Sequence, residues 1–490
     1  MGIVAKQASR NASVILIGTI FGAVNNVFIL PRAFQDNKAG LGFIAFMVAV
    51  AMISSQIFSF SAQNIFVYYI PKLKDRIKEN ALVSCLLLIS ALGLVIYGIG
   101  SILTLDLVKT WLSASDALLY EQYLWPVMIM TGSVVFFYAF SGFLNAKFET
   151  VLVNLLLDPF TKISYLVLAV AFLFQLIDYT TFIWLFVLSY FSIAVIAAVR
   201  TVQLGFKFQP TLSIHNAKEV ASYGFYSVLD KGAAIITQKL DVIMIALILD
   251  FDFAGEFIIA FFVGSVVIIP FRSIYSIASP IVSKEIGANN TAELKQVYQK
   301  TALFAFILGA FIFSVVWINI DAILAILPEK FRGGKWVVFF IGLAKLFSIL
   351  ASVSSSFIVY SKYYKFILKL NVMLLFFTVA TNLWLITKYG TAGAAAATAL
   401  TTLVFTCVKV GYVRQKFKLM PYTTDLIKVI VLFLALITAT SYITLELNPF
   451  VEIIIKGSAF ALLYLAGLKM LRVIPELKSL SSLKELIKGN

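Results

Sequence analysis

Cysteine and histidine are almost missing from this chain: two Cys and one His among 490 residues. Cys85 and Cys407 both fall inside apolar runs, and two such thiols build neither a disulfide framework nor a metal site. His215 stands alone in a polar connecting segment and reads as an ordinary surface residue. Zinc chemistry and a histidine-based triad are therefore excluded. Charge is scarce as well. Asp, Glu, Lys and Arg make up 13% of the chain against 61% hydrophobic residues, and the mean hydropathy is +0.97, which rules out a soluble globular protein. A phosphate-binding loop is also lacking. "RGGK", ending at Lys335, has neither the earlier glycine nor the following Ser or Thr of a P-loop, so nothing suggests ATP hydrolysis. With no catalytic motif, the expectation is a protein that is not an enzyme and needs no metal or cofactor.

What the chain does contain is fourteen long apolar runs. Runs of about 17–25 apolar residues cross a hydrocarbon core about 30 Å thick, and a membrane segment must satisfy its own backbone, so each run is read as a helix. The second, Leu41–Ile65, and the seventh, Val220–Leu249, are overlong. The net charge of +15 is not a nucleic-acid signature, because its placement is one-sided. Of the 39 Lys and Arg, 25 lie on one side of the runs, 8 on the other and 6 within them. This is the positive-inside bias, and it predicts both termini in the cytoplasm. Lys6 and Arg10 imitate the start of a secretory signal, but no small-residue cleavage site precedes Pro31. An uncleaved first span is expected.

The runs fall into similar halves. "AGLGFIAFMV" at Ala39–Val48 matches "AGEFIIAFFV" at Ala254–Val263 with six identities, at the spacing that separates span one from span seven. An even number of spans per half gives both halves the same orientation, as in transporters built from parallel repeats. The predicted architecture is all-α and membrane-integral, with two six-helix lobes and two extra helices. Its bounds are 1–206 for the first lobe, 207–219 for a cytoplasmic linker and 220–416 for the second lobe. Residues 417–490 hold the last two spans and the tail.

Inside the apolar runs stand Lys162, Lys231, Lys239, Arg272 and Lys345. A cation at the centre of a membrane helix costs about 2.5–3.5 kcal/mol on the translocon scale, so several on several helices point to a wet cavity rather than to lipid. A cationic cavity suits an anionic cargo. Each residue also has a plainer explanation. Asp158 and Lys162, in "DPFTK", lie four apart and can neutralise one another on one helix face. Pro159 between them removes a backbone donor and kinks the helix. In span seven, Asp230 and Asp241 share a stripe about 20° wide, while Lys231 lies about 100° from Asp230. That adjacent pair cannot cancel along the helix, so each needs a partner elsewhere or a wet lumen. Lys239 can snorkel to the surface, as can Lys345. Arg272 sits between Pro270 and Pro280 and has the shape to grip phosphate bidentately; the alternative is an ion pair with an acid such as Asp230. Asn25, Asn26, Gln56, Gln63, Asn64 and Gln238 either bond between helices or recognise sugar hydroxyls.

The arrangement six, six and two, the basic loops and the intramembrane cations resemble the polysaccharide flippases of the multidrug/oligosaccharidyl-lipid/polysaccharide exporter superfamily. Two stretches carry the local likeness: "YGFYSVLDKGAAIITQKLDVIMIALIL" opening the second lobe, and "YGTAGAAAATALTTLVFTCVKV" at span twelve. The resemblance implies a multi-pass flippase of the bacterial inner membrane. It would move an undecaprenyl-diphosphate-linked oligosaccharide across by alternating access, for polysaccharide biosynthesis. Its partners would be that anionic glycolipid, membrane lipid, a polysaccharide polymerase and glycosyltransferases. Lys162, Lys231, Arg272 and Lys345 would take over the hydration of the diphosphate, with Asn25, Asn26, Gln56 and Asn64 on the sugar. Asp158, Asp230, Asp241 and Lys239 would serve as charge partners or coupling groups. Alternatives are a cation-coupled multidrug exporter, weakened by a first span without an acid, and a peptidoglycan precursor flippase. A membrane-embedded glycosyltransferase or ligase would need a sizeable outer loop bearing acids or His, and the chain has none.

Overall fold

The computed structural model describes residue 14 and residues 17–73, 75–211, 217–440 and 447–473. Lys6, Arg10 and His215 lie outside the described residues, as do 212–216 of the expected linker and the last seventeen positions of the tail. Every regular element among the described residues is a helix. In chain order these are α1 (residues 17–33), α2 (Lys38–Phe58), α3 (Arg76–Leu103), α4 (Leu124–Ala146), α5 (Thr150–Leu173), α6 (Tyr179–Gln203) and α7 (Ala217–Ile248). Then follow α8 (Phe251–Gly287), α9 (Thr291–Ile318), α10 (Glu329–Leu350), α11 (Lys365–Phe417), α12 (Thr424–Thr440) and α13 (Pro449–Met470). Among the described residues, ten helices are long and apolar enough to cross a membrane. α7 is not among them, since Asp230, Lys231, Lys239 and Asp241 crowd its centre. The molecule is an all-α, multi-pass membrane protein.

Side chains in the connections start the helices. Asn37 accepts from the Gly40 amide at 3.0 Å to open α2, and Asp75 accepts from Ile77 at 2.9 Å to open α3. Asn448 does the same for α13 just before Pro449. Such caps satisfy amide groups that a helix start leaves unpaired.

Three departures from regular helix lie at prolines. A π turn at Asn25–Ile29 precedes Pro31, and a second at Leu156–Phe160 contains Pro159. A 3-10 turn at Val266–Ile268 precedes Pro270. In each case the ring would collide with the carbonyl four residues back, and the local rewinding relieves that collision. The overlong second run is not one straight helix. It breaks after Phe58 at Phe60 and Ser61, both at positive φ, and resumes as Ala62–Tyr69. Spans eleven and twelve run on as helix α11 except at Gly390, which sits at φ 59° and ψ −138°. There the chain doubles back, because a Cβ on Gly393 would overlap the carbonyl of Leu385. In a straight helix those residues would stand about 12 Å apart.

Packing divides the chain into two compact units, residues 1–259 with 368–394 and residues 260–367 with 395–490. In the first, α4 is central and lies against α2, α6 and the Ala62–Tyr69 helix, around buried Phe66, Leu86, Phe137, Phe143 and Ile193. In the second, α9 packs on α8, α10, α12 and α13, around Phe306, Phe313, Ile349, Phe433 and Tyr464. Lipid offers apolar side chains as good a home as protein does, so close fit holds such helices together. The start of the internal repeat shows this fit. A Cβ on Gly42 would overlap the Phe251 carbonyl, and one on Gly255 would overlap that of Lys38. Lys38 also pairs with Glu256 at 3.2 Å. The two repeat segments thus begin against one another. Beside them Asp116, buried in the connection before α4, accepts from the Phe251 amide at 2.9 Å. Burial raises its carboxyl pKa, and nearby Asp250 and Asp252 add to the effect.

Candidate functional site

The first unit answers most of its intramembrane charges. On α5, Lys162 Nζ lies 2.6 Å from Asp158 Oδ1. The i, i+4 spacing brings them together, and α1 leaves room for them. A Cβ on Gly18 would overlap the Asp158 carboxylate, and one on Gly22 would stand 3.2 Å from Lys162 Cδ. The simpler expectation, a pair neutralised along its own helix, is what the geometry gives.

On α7, each of the two acids accepts from an asparagine amide. Asn371 Nδ2 donates to Asp230 at 2.8 Å, and Asn382 Nδ2 donates to Asp241 at 2.7 Å. Both pairs span 141 residues of sequence, so α7 and the first part of α11 run parallel and in step. Asp241 and Asn382 are buried, and the Oδ1 of Asn382 has no hydrogen-bond partner among the described residues. Lys231, next to Asp230, is exposed and has no ion pair or hydrogen bond among the described residues; Lys239 is half-buried and equally unpaired. Leaving Asp230 to Asn371 thus leaves Lys231 available.

The uncharged candidates separate into two kinds. Asn25 is buried in the π turn of α1 with its Oδ1 unbonded among the described residues, and Gln56 is buried in α2. Asn26 donates to the Gly22 carbonyl at 2.8 Å. Asn64 donates to Ser61 at 2.8 Å, and Ser61 in turn meets Ser227 of α7 at 2.8 Å. The bonds of Asn26 and Asn64 stay within their own segments, and only the Ser61–Ser227 contact joins two helices.

In the second unit, Arg272 is exposed on α8 and has no ion pair or hydrogen bond among the described residues. Its helix face continues through Tyr275 and Ser279, three and seven residues on. Ser356 donates to Tyr275 Oη at 2.9 Å and lies 3.0 Å from Ser279 Oγ, which is 3.2 Å from Tyr360 Oη. One stripe of α8 therefore carries a guanidinium at one end and a run of hydroxyls at the other. Lys345 on α10 is half-buried, with Nζ 5.1 Å from the centre of the Phe261 ring. Lys409, half-buried in the last part of α11, is a further intramembrane cation that the sequence reading did not single out. Among the described residues no group of His, Cys, Asp and Glu is placed to hold a metal ion.

Asn371, Asn382 and the hydroxyl run were missed. One signal for the asparagines was in reach: they lie eleven residues apart, as do Asp230 and Asp241.

No family model and no curated protein matches the chain. Solved structures do. The lipid II flippase MurJ in an inward closed conformation superposes with a TM-score of 0.74 at 13% identity, covering 95% of this chain and 99% of that one. An inward-facing multidrug resistance MATE family transporter of the MOP superfamily gives 0.65 at 13% identity, covering 84% and 98%. A MOP superfamily transporter from Pyrococcus furiosus, described as having a binding pocket of reversed polarity, gives 0.55 at 14% identity, covering 85% and 96%.

Proposed function

From a chain with the fold of these flippases and exporters, we propose a flippase for an anionic, lipid-linked oligosaccharide. The cargo would be an undecaprenyl-diphosphate glycan that crosses the bacterial inner membrane by alternating access, with both chain termini in the cytoplasm. The protein would act as a carrier rather than an enzyme, supplied by glycosyltransferases and drained by a polymerase. The two repeats, 1–206 and 220–416, would supply the moving parts.

One observation carries the choice of cargo: Arg272 in α8 and Lys231 in the seventh apolar run are exposed and are answered by no acid among the described residues. An unanswered cation in a membrane span is costly, and a passing diphosphate offsets that cost. Arg272 supplies the bidentate fork and Lys231 a point charge. In the second unit Lys345 adds a further cation on α10, and in the first unit the half-buried Lys239 adds one on α7. Lys162 enters as half of an ion pair, with Asp158, Asp230 and Asp241 as fixed charge partners. Asn25, Asn26, Gln56 and Asn64 are assigned to the sugar. A cation-coupled drug exporter fits less well, since α1 has no acid and Asp158 is already paired.

The test is export in cells or proteoliposomes. Arg272→Ala should abolish it with insertion and folding intact, and Arg272→Lys should restore only part, because Lys keeps the charge without the fork. Full export by Arg272→Ala, with insertion and folding intact, would reject Arg272 as a ligand. A second cargo has a specific observation in its favour, the near-complete superposition on a lipid II flippase. Supplying lipid II in place of the oligosaccharide carrier distinguishes the two.

A further inference from the structure

A cavity of about 390 Å³ opens at the end of α9 where its charged residues gather, well apart in sequence from every residue assigned above. Lys295, Gln296, Gln299, Lys300 and Leu303 of α9 line it. Their spacing of three, four and seven or eight makes them one stripe of the helix. From the start of α12 come Thr423 and Asp425. Asp425 is held by Lys428 at 2.7 Å, so its charge is already answered. Lys295 and Lys300 have no ion pair or hydrogen bond among the described residues. The cavity is therefore net cationic.

Its polarity changes along the stripe. The lysines and glutamines stand toward the helix start and buried Leu303 toward the apolar length of α9. On α12, exposed Ile427 and Leu434 continue the face of Thr423. A soluble anion needs only the cationic part. A phospholipid needs both, an anionic headgroup at the lysines and apolar side chains beside its acyl chains, and basic pockets between spans hold such headgroups.

We infer that this cavity binds the phosphate of an anionic phospholipid, with Lys295 and Lys300 as its ligands and Gln296 and Gln299 as hydrogen-bond donors. The site is independent of the cargo, and its occupancy is read without any transport assay.

The full chain in detergent, exposed to phosphatidylglycerol or phosphatidylcholine, is weighed by native mass spectrometry. The wild type should retain phosphatidylglycerol in clear preference. Lys295→Gln with Lys300→Gln should weaken that retention about thirtyfold, the effect of losing two surface lysines near a charged headgroup. Lys295→Arg with Lys300→Arg should keep it. Equal retention of the two lipids by the wild type overturns the inference and needs no variant. So does retention of phosphatidylglycerol by the glutamine variant at the wild-type level. If inorganic phosphate binds the cavity while neither lipid is preferred, the site is one for soluble anions and the lipid assignment falls.

Discussion

Two intramembrane cations stand close to prolines, Lys162 on α5 and Arg272 on α8, and their surroundings differ. Lys162 meets Asp158 one turn away, and two glycines of α1 leave space for the pair. Arg272, two residues beyond Pro270, is exposed and meets no acid among the described residues. A charge neutralised on its own helix can be carried by packing. A charge left unanswered requires water or an anion. Counting intramembrane cations therefore overstates the candidates for cargo binding, and asking which of them already has a counter-ion narrows the list.

The widest separation should appear when both charges are removed in the same export assay. Arg272→Ala is expected to lower export at least a hundredfold, whereas Asp158→Asn with Lys162→Met, which removes both halves of the pair, should keep most of it. Equal loss in the two variants would break the distinction. Next comes Asp158→Asn alone. It strands Lys162 at a cost of about 2 kcal/mol, below that of a fully buried charge because the pair is about a third exposed. Adding Lys162→Met should recover most of the lost melting temperature. A third variant tests the glycine hollow. Gly18→Leu forces a side chain into the Asp158 carboxylate and should cost on the order of 1–2 kcal/mol, read by thermal unfolding in detergent. Gly100→Leu, where nothing lies within 4 Å, is the matched control and should change little.

The smallest effect concerns a charge outside the spans. Burial raises the Asp116 carboxyl above its ordinary value, so its protonated form is favoured in the folded state. Its contribution to stability is full below about pH 4, the unfolded value, and is lost as pH rises through the folded one. Asp116→Asn keeps an acceptor for the Phe251 amide and cannot ionise. The wild type should therefore match the variant near pH 4 and melt below it at pH 7. A constant difference across that range would deny any role for the proton.

Local spacing made much of this legible. Apolar run length pointed to membrane helices, and the four-residue interval in "DPFTK" pointed to the Asp158–Lys162 pair. Pro159 pointed to an irregular turn, which is a π turn. What could not be read depends on which helices meet. The partners of Asp230 and Asp241 lie 141 residues away, and no local rule chooses Asn371 over a cation. The fit of Gly42 under the Phe251 carbonyl is likewise a tertiary fact. The break at Phe60 and Ser61 falls inside the overlong second run, and neither residue type announces a left-handed backbone.

The paired asparagines also constrain how α7 can move. Asp230 on Asn371 and Asp241 on Asn382 act as two pins through a pair of plates, set three helical turns apart, about 16 Å. Rotating α7 by one residue, about 100°, or sliding it by about 1.5 Å, withdraws both pins together. A slip of a full eleven residues would reseat only one. Any displacement of α7 that keeps its acids bonded must therefore carry residues 371–382 along as a single rod.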